Sequence, residues 1–547
     1  MKLIKFAFII ALGLIAEQAN AQVTRAQAES ALRKAAEFYL NKVSTRGGYH
    51  YYYAEDLSYG RSEHSEGPTQ IEVQREATPI VGMAYLRAYE ATGDRFYLEA
   101  ARAAAYALVL GQHCSGGWDY IIEFDPEKRK QYPYRVDNNC GVANPGRYYT
   151  TLDDNVTQGA LRLLMRVDHE LKFEDKKIHE AALFALDQLI KVQYPNGAWP
   201  QRYYQFADPA KFPVKSASYP ESWSRTWPGP DYRFLYTFND NTISDLIDMF
   251  LEASRIYGEE RYRKVAEKGG GFILMAQMPE PQPAWAQQYD IDMHPAWARN
   301  FEPPSVTGGE SQGIIRILLV LNAETGEKKY LAAARRALDY LQRSVLPPVE
   351  NPSEARRRFR PGEPVLARFY ELKTNRPLYI TKGTRVSVLD RGATLVGGYQ
   401  LSYTDESVIT HYGVLTSGAG LSEIEADYKR VSAADPATIR RPVKLHGLSP
   451  WEHRDPPQLD VRQIIAGMDA RGAWIQHGSI GKADRVVSVF AARDMVVTIG
   501  DRVLPLKENE TLQVFQGTER PRESIIRSET FARNVEALCI FLENSKQ

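Results

Sequence analysis

The chain has 547 residues, of which 44% are hydrophobic, so it is long enough for more than one domain and can bury a large core. Lysine plus arginine and aspartate plus glutamate both total 68, which gives a formal net charge of zero and no overall field that would attract a nucleic acid. The three cysteines are too few for a disulfide scaffold, and two arrangements stay open: a bond between Cys114 and Cys140, or three unpaired thiols.

The N-terminus has the features of a secretory signal peptide. Lys2 and Lys5 precede an apolar run over residues 6–16, and the small-residue site Ala19-Asn-Ala21 follows. We expect cleavage before Gln22 and a periplasmic or extracellular protein. No later apolar stretch approaches the roughly 18 residues of a membrane span, so no membrane partner is expected.

A repeat runs through the first two thirds of the chain. One motif occurs as Thr92-Gly-Asp-Arg-Phe-Tyr97, Tyr257-Gly-Glu-Glu-Arg-Tyr262 and Thr325-Gly-Glu-Lys-Lys-Tyr330, with helical apolar patterns on both sides. A second series, which marks loops between helix pairs, comprises Gly47-Gly-Tyr49, Gly116-Gly-Trp118, Gly197-Ala-Trp199 and Pro283-Ala-Trp285. A period of about 70 to 80 residues with two helices each predicts a mainly α fold, an (α/α)n toroid of helical hairpins. Closure would bring the Gly-aromatic loops to one end and form a cleft there.

The composition changes after residue 346. Proline- and arginine-rich sequence continues to residue 362, and β-like runs follow at 385–388, 486–490 and 495–499. We therefore expect a toroid over residues 22–346, an extension packed on it over 347–436, and a small mixed α/β region over 437–547.

Carboxylates lie directly before two of the predicted helices. Asp153 and Asp154 precede one apolar stripe and Asp240 precedes another. Each could be a helix N-cap, worth about 1 kcal/mol. Their repetition in successive hairpins instead favours carboxylates that meet at one end of the toroid around a hard cation such as Ca²⁺.

A third segment, residues 297–305, sets Arg299 between an aromatic residue and a proline-stiffened turn. It follows a Gly-aromatic loop, so we expect it at the same end of the toroid as the acids. An arginine is suited to an acidic sugar. The alternative is a surface salt bridge to Glu302, worth under about 1 kcal/mol.

Four ordered motifs resemble the pectate lyases of polysaccharide lyase family ten. They are Thr151-Leu-Asp-Asp-Asn-Val-Thr157, Gln193-Tyr-Pro-Asn-Gly-Ala-Trp-Pro-Gln201, Thr237-Phe-Asn-Asp240, and Ala298-Arg-Asn-Phe-Glu302 followed by Pro304-Ser305. Ala367-Arg-Phe-Tyr-Glu371 also looks like the closing stretch of that family. The resemblance implies an (α/α)₃ toroid and calcium-dependent β-elimination in homogalacturonan or a related uronate polymer.

The resemblance also implies roles for individual residues. Asp153 and Asp240 would bind Ca²⁺, and Asp154 would add a carboxylate where the family has asparagine. Arg299 would be the Brønsted base, which requires that burial and nearby cations lower a pKa that is ordinarily about 12.5 or higher.

The expected substrate-binding residues are Arg202, Arg233, Trp199 and Glu302. Arg202 and Arg233 would act as carboxylate clamps, and the alternative for each is an ordinary loop arginine. An insertion at about residues 203–233, rich in Tyr, Trp, Pro and Ser, separates the two acidic motifs and would cover or reshape the cleft.

Two other functions stay open. An unsaturated uronate hydrolase on a related toroid would use a carboxylic acid to activate water and would need no metal. A non-catalytic polyuronate-binding protein would bind the polymer without turnover.

Overall fold

The computed structural model describes residues 23–141, 148–381, 385–387, 393–396, 399–409, 412–435, 438, 460–478, 480, 485–491, 493–499, 502–508, 510–516 and 523–545. The helices are α1 (Arg25–Phe38), α2 (Thr78–Thr92), α3 (Arg95–Leu110), α4 (Pro126–Arg129), α5 (Val156–Glu170), α6 (Lys176–Val192), α7 (Thr242–Tyr257), α8 (Glu260–Ala276), α9 (Glu310–Thr325), α10 (Lys328–Arg343), α11 (Gly420–Ala433), α12 (Val461–Ala466) and α13 (Ser528–Asn544).

The strands are short and lie between the helices. They are β1 (Tyr52–Ala54), β2 (Gly60–Arg61), β3 (Gln70–Glu72), β4 (Ile121–Glu123), β5 (Thr150–Thr151), β6 (Arg202–Tyr203), β7 (Tyr236–Thr237), β8 (Gln288–Tyr289), β9 (Val306–Thr307), β10 (Val365–Ala367), β11 (Phe369–Tyr370), β12 (Pro377–Thr381), β13 (Arg385–Ser387), β14 (Ala393–Val396), β15 (Gln400–Ser402), β16 (Leu415–Ser417), β17 (Gln476–Gly478), β18 (Arg485–Phe490), β19 (Met495–Ile499), β20 (Arg502–Leu506), β21 (Thr511–Gln516) and β22 (Glu523–Arg527).

Helical hairpins form the body of the protein. The pairs α2/α3, α5/α6, α7/α8 and α9/α10 each pack together, and the first helix of each pair also packs against the first helix of the next. The first helices therefore form an inner row, in which α5 and α7 are buried almost all round, and the second helices form an outer row. In three of the hairpins a left-handed glycine, Gly93, Gly258 or Gly326, ends the inner helix, as the repeated motif predicts. The predicted helical-hairpin fold is confirmed.

The two ends of the described chain form a further hairpin of this kind. Helix α13 packs against α1 and α2, and β22 pairs antiparallel with β1. Arg87 of α2 is ion-paired with both Glu536 and Glu543 of α13. The region predicted to be a small mixed C-terminal unit thus supplies an inner helix to the array, which contains more hairpins than the three of an (α/α)₃ toroid.

The Gly-aromatic loops share one local structure. The buried indole N–H groups of Trp118, Trp199 and Trp285 donate to carbonyls of the preceding outer helix, those of Leu108, Leu189 and Ile273. Trp474 donates in the same way to Ile464, so residues 472–474 are another copy of the series, which the sequence analysis missed. Gly197 has a φ of +97°, and a Cβ there would lie 2.2 Å from the carbonyl oxygen of Lys268, so this turn requires glycine.

Three other features bear on the sequence-based expectations. Cys114 and Cys140 form a disulfide, and Cys539 is buried and unbonded. Within the described ranges, no helix is long and apolar enough to cross a membrane. The predicted signal peptide, residues 1–21, lies outside the described residues, and the division into three units after it stays a prediction.

Helix α13 should contribute strongly to stability because it closes the core around α1 and α2. Leu538 has no exposed surface, so we expect Leu538→Ala to lower the free energy of unfolding by about 2 to 5 kcal/mol. Denaturant unfolding of the full chain measures this. Arg533→Ala, at an exposed position of the same helix, should change stability by less than about 0.5 kcal/mol. Equal effects of the two substitutions would contradict the packing described here.

Candidate active site

Two turns of the same conformation begin the inner helices α5 and α7. In the 3₁₀ turns Asp153–Asn155 and Asn239–Asn241, the second and third residues are left-handed, with φ between 47° and 60°. Both turns have the sequence Asp-Asn at these positions. Apart from glycine, aspartate and asparagine are the residues that adopt this conformation most readily. The counterpart of Asp240 is therefore Asp154 rather than Asp153.

The aspartates do not cap the helices that they precede. The residue at the N-cap position of each helix, Asn155 or Asn241, makes no capping hydrogen bond through its side chain. The carboxylates of Asp153, Asp154 and Asp240 instead converge, with one oxygen of each lying within 4.8 Å of the others. The expectation that acids from successive hairpins meet at one place is thus met by the geometry.

Burial and mutual repulsion both disfavour the charged forms of two of the clustered acids. Burial and then the neighbouring charges of Asp154 and Asp240 raise the pKa of Asp153 well above its usual range. Burial, followed by Asp154, likewise raises the pKa of Asp240. Three mutually repelling carboxylates that grade from buried to exposed suit a hard cation with oxygen ligands, so the donor set fits Ca²⁺.

Tyr120, in the loop before β4, and Arg202, in β6, lie against the carboxylate cluster. Tyr120 donates its hydroxyl hydrogen to Asp154 Oδ2 at 2.9 Å. Arg202 donates from Nη2 to the Tyr120 hydroxyl at 3.1 Å, and the same nitrogen lies 3.6 Å from Asp153 Oδ2. Arg202 Nε is buried and has no hydrogen-bond partner among the described residues. One arginine therefore only partly compensates three acids.

Arg299 is held by Glu302. Its Nε and Nη2 atoms donate to the two carboxylate oxygens of Glu302 at 2.8 and 2.6 Å, and its backbone N–H donates to the same group at 2.9 Å. The guanidinium also lies over the rings of Phe301 and Tyr412, at 4.9 and 5.2 Å. Because the Arg299 side chain is 38% exposed while that of Glu302 is 3% exposed, the buried acid orients a partly accessible arginine.

The protonation state of Arg299 differs from the sequence-based expectation. Burial alone would lower its pKa, but the hydrogen bonds and the charge of Glu302 outweigh burial and raise the pKa of Arg299 above its usual value. For Glu302, burial is likewise outweighed by Arg299, so the pKa of this carboxyl is lowered. The lowered pKa expected for Arg299 is absent from this ion pair.

A hydrogen-bond chain joins the arginine to the carboxylate cluster. Gln287 donates from Nε2 to Glu302 Oε1 at 2.7 Å and to Asn239 Oδ1 at 2.9 Å. Asn239 in turn donates to Asp240 Oδ2 at 2.6 Å. The charges of Arg299, Glu302, Arg202 and Asp153 all act on the pKa of the Tyr232 phenol, so the arginine and the acids lie around one tyrosine side chain.

A second buried ion pair lies beside this chain. Arg368 pairs with Glu310, the first residue of α9, and its guanidinium lies over the Tyr412 ring at 4.1 Å. Arg368 Nη2 also reaches Asn239 Oδ1 at 3.4 Å. Each of these two arginines therefore has its own carboxylate partner, in contrast to the three clustered aspartates.

The structure corrects two of the predicted substrate contacts. Trp199 has no exposed surface, and its N–H is bonded to Leu189, so it is a core residue and cannot stack on a sugar. Glu302 is buried, and its oxygens accept from Arg299, Gln287 and Tyr412, so it positions the arginine rather than the substrate.

Arg233 and Arg202 remain on the cleft side. Arg233 donates to both oxygens of Asp231, at 2.9 and 3.1 Å, and to the Tyr149 hydroxyl at 2.8 Å, with about a third of its side chain exposed. Arg202 lies closer to the acids and is 30% exposed. Both positions are compatible with a carboxylate clamp.

Several site residues were missed by the sequence analysis, although two signals mark them. Tyr120 and Gln287 each follow the tryptophan of a Gly-aromatic loop by two residues, at the point where the loop enters the cleft. Arg368 lies in the closing stretch Ala367–Glu371. Tyr412, which donates to Glu302 Oε1 at 2.7 Å, has no comparable local signal.

Solved structures of low similarity include sugar-processing enzymes. The family 10 polysaccharide lyase from Cellvibrio cellulosa is 20% identical over 63% of this chain and 94% of its own, with a TM-score of 0.41. A variant of that lyase in complex with trigalacturonic acid gives the same values over 98% of its own chain. The unsaturated glucuronyl hydrolase from Streptococcus agalactiae is 14% identical over 60% of this chain and 66% of its own, with a TM-score of 0.33. Because these TM-scores are below 0.5, the likenesses assign no activity to this chain.

No curated protein matches the chain. Residues 134–391 match the family model described as pectic acid lyase. That range includes the carboxylate cluster, Arg299 with Glu302, and Arg368 with Glu310. The match confirms, over these residues, the resemblance to pectate lyases that the motifs indicate.

Proposed function

We propose that this protein is an exported, calcium-dependent lyase that cleaves polygalacturonate, or a related uronate polymer, by β-elimination. The observation that carries the proposal is the convergence of Asp153, Asp154 and Asp240 beside an oriented arginine, within the residues that match pectic acid lyases. Three crowded acids alone would repel a polyanionic substrate, so this arrangement needs a cation in order to bind one.

Asp153, Asp154 and Asp240 would hold Ca²⁺. When bound, the ion neutralises a uronate carboxylate, which makes the proton on the adjacent C5 more acidic. Tyr120 and Arg202 orient the acids of the first hairpin, and Asn239 orients Asp240. Arg202 and Arg233 are proposed to bind carboxylates of neighbouring sugar units, because a guanidinium matches a carboxylate with two parallel hydrogen bonds.

Arg299 is the proposed Brønsted base. It would accept the C5 proton while the C4–O bond breaks, a double bond forms between C4 and C5, and the departing oxygen takes up a proton. Glu302 holds Arg299 charged in this structure, so the ion pair must weaken and Arg299 must release one proton to solvent before it can accept the C5 proton. The contacts of the Arg299 guanidinium with the rings of Phe301 and Tyr412 then keep the reacting nitrogen positioned before the chemical step.

Export has independent support. The Cys114–Cys140 disulfide is typical of an oxidising compartment outside the cytosol. The N-terminal pattern of basic, apolar and small residues fits a secretory signal peptide.

The lyase reaction predicts a specific optical signal. Wild-type protein with polygalacturonate and Ca²⁺ should produce an ultraviolet absorbance rise from the unsaturated product, and a chelator should abolish it. Arg299→Ala should reduce the rate by about 10²-fold or more, because a positioned base typically contributes that much. Arg95→Ala, at an exposed position of outer helix α3, is the matched control. New reducing ends without absorbance would indicate hydrolysis and would exclude this function, and substrate binding without either signal would indicate a binding protein.

Calcium binding should depend on the clustered acids and on pH. We expect Asp240→Asn to weaken Ca²⁺ binding about tenfold or more, since charged ligands set the affinity of such sites. Because the ligands bind as anions and the pKa values of Asp153 and Asp240 are raised, affinity should fall as the pH decreases, beginning above the ordinary aspartate pKa of about 3.9. Calorimetric titration of the full chain measures both effects.

The control for that titration is Asp187→Asn, which removes an exposed acid paired with Arg261 on the outer helices. It should leave Ca²⁺ affinity unchanged. If Asp240→Asn bound Ca²⁺ as tightly as the control, the proposed ligand set would be wrong.

Glu302 should set the pH dependence of turnover. Since Glu302 raises the pKa of Arg299, its removal in Glu302→Gln lowers that pKa and should move the rising limb of the kcat/KM profile to lower pH. The loss of the paired hydrogen bonds should also reduce kcat. An unchanged pH profile in Glu302→Gln would argue against Arg299 as the group that accepts the proton.

A further inference from the structure

The insertion between the acidic motifs is docked onto the segment that carries Arg299. Trp227 donates its indole N–H to the carbonyl oxygen of Ala298 at 2.7 Å, and Trp297 donates to the carbonyl oxygen of Ser224 at 2.9 Å. The rings of Trp223 and Trp297 also meet edge to face, with centroids 6.4 Å apart. These reciprocal bonds join the insertion and the Arg299 segment into one surface, which we call the wall.

Two arginines lie over aromatic rings on this wall. The guanidinium carbon of Arg225 is 3.9 Å from the Trp223 ring centroid, and that of Arg376 is 3.6 Å from the ring centroid of Tyr403. Arg225 belongs to the insertion, whereas Arg376 directly precedes β12. We call Trp223, Arg225, Tyr403 and Arg376 the arginine platform.

One buried carboxylate organises the platform. Glu371 is 4% exposed and accepts from Arg225 Nη1 at 2.8 Å and from the Tyr403 hydroxyl at 2.6 Å. Thr374 also donates to it. Because a buried carboxylate is costly unless it is paired in this way, Glu371 fixes both halves of the platform relative to each other.

The platform keeps accessible positive charge. The side chain of Arg225 is 54% exposed even though it contacts Glu371. Arg376 is exposed, and among the described residues its guanidinium has no hydrogen-bond acceptor. Lys373, on the same turn, is exposed as well. Glu371 neutralises only one of these charges, so the surface stays positive.

The turn that presents Arg376 is itself anchored. The backbone N–H of Lys373 donates to Gln282 Oε1 at 2.7 Å, and Gln282 Nε2 donates to the carbonyl oxygen of Glu371 at 3.0 Å. A rigid turn lowers the entropic cost of presenting a long side chain to a ligand. This arrangement differs from that of an ordinary surface arginine, which keeps many rotamers.

We propose that the arginine platform is a distal subsite that binds a uronate unit of the polymer several sugars away from Arg299. A guanidinium stacked on a ring retains its in-plane N–H groups, and these match the two oxygens of a carboxylate. The reciprocal tryptophan bonds place the subsite on the same wall as the reacting segment. The proposal rests on the proposed function, because it takes the ligand to be the substrate of that site.

The test compares a galacturonate trimer with a long unesterified oligomer on the full chain. The long oligomer should have the lower KM in the wild type, and Arg376→Ala should raise its KM about 5- to 10-fold and so remove the preference for length. The loss should be in KM rather than in kcat. Arg376→Lys keeps the charge but not the planar fork, so it should restore only part of the preference. Arg95→Ala is again the control.

A binding measurement separates the two proposals. Calorimetry with the long oligomer in the presence of chelator removes both turnover and cation-mediated contacts. Weaker binding in Arg376→Ala would support the platform even if no lyase activity were found. Active enzyme with an unchanged preference for length in Arg376→Ala would overturn the platform and leave the lyase proposal standing. Absence of chelator-resistant oligomer binding in the wild type would also overturn the platform.

Discussion

Repulsion among three carboxylates is the constraint on which the rest of this site depends. The left-handed Asp-Asn turns that begin α5 and α7 direct acids from successive hairpins towards each other, until their oxygens lie within 4.8 Å. Desolvation by burial adds to the repulsion, and together they raise the pKa of Asp153 and that of Asp240. Tyr120 and Arg202 relieve it only in part. Packing of the inner helices holds the three carboxylates together although the nearby side chains do not neutralise their negative charge. A divalent cation would neutralise it.

The arginines of the cleft are organised in the opposite way. Arg299 has Glu302 as its partner and Arg368 has Glu310, so neither contributes an uncompensated positive charge. The excess charge of the cleft therefore lies with the clustered acids and is negative. This imbalance would account physically for the proposed calcium dependence, because without the ion the cleft would repel a polyanionic polymer. The positive charge of the arginine platform lies on the insertion and on the turn before β12, where it would attract the chain without competing for the acids.

Local sequence signals were sufficient for the parts of the fold that depend on neighbouring residues. Turn glycines such as Gly93 and the apolar periods of the inner helices predicted the hairpins, and the repeated acids predicted the cluster. Packing between distant parts of the chain left no such signal in the sequence. The contact of α13 with α1 and α2, at the other end of the chain, was therefore not predicted. The burial of Trp199 could not be predicted from the local sequence either, because an aromatic residue in a loop can equally face a ligand or the core. The role of Glu302 became clear only with Gln287 and Tyr412 in place around it.

The central claim is that acids from two hairpins share one cation. Anomalous X-ray diffraction from crystals of the full chain grown with a lanthanide as a calcium substitute tests it most directly. The account predicts one strong peak bounded by carboxylate oxygens of Asp153, Asp154 and Asp240, and its loss in Asp240→Asn crystals. Separate peaks on the two turns, or no peak at these acids when the lanthanide binds elsewhere, would contradict it.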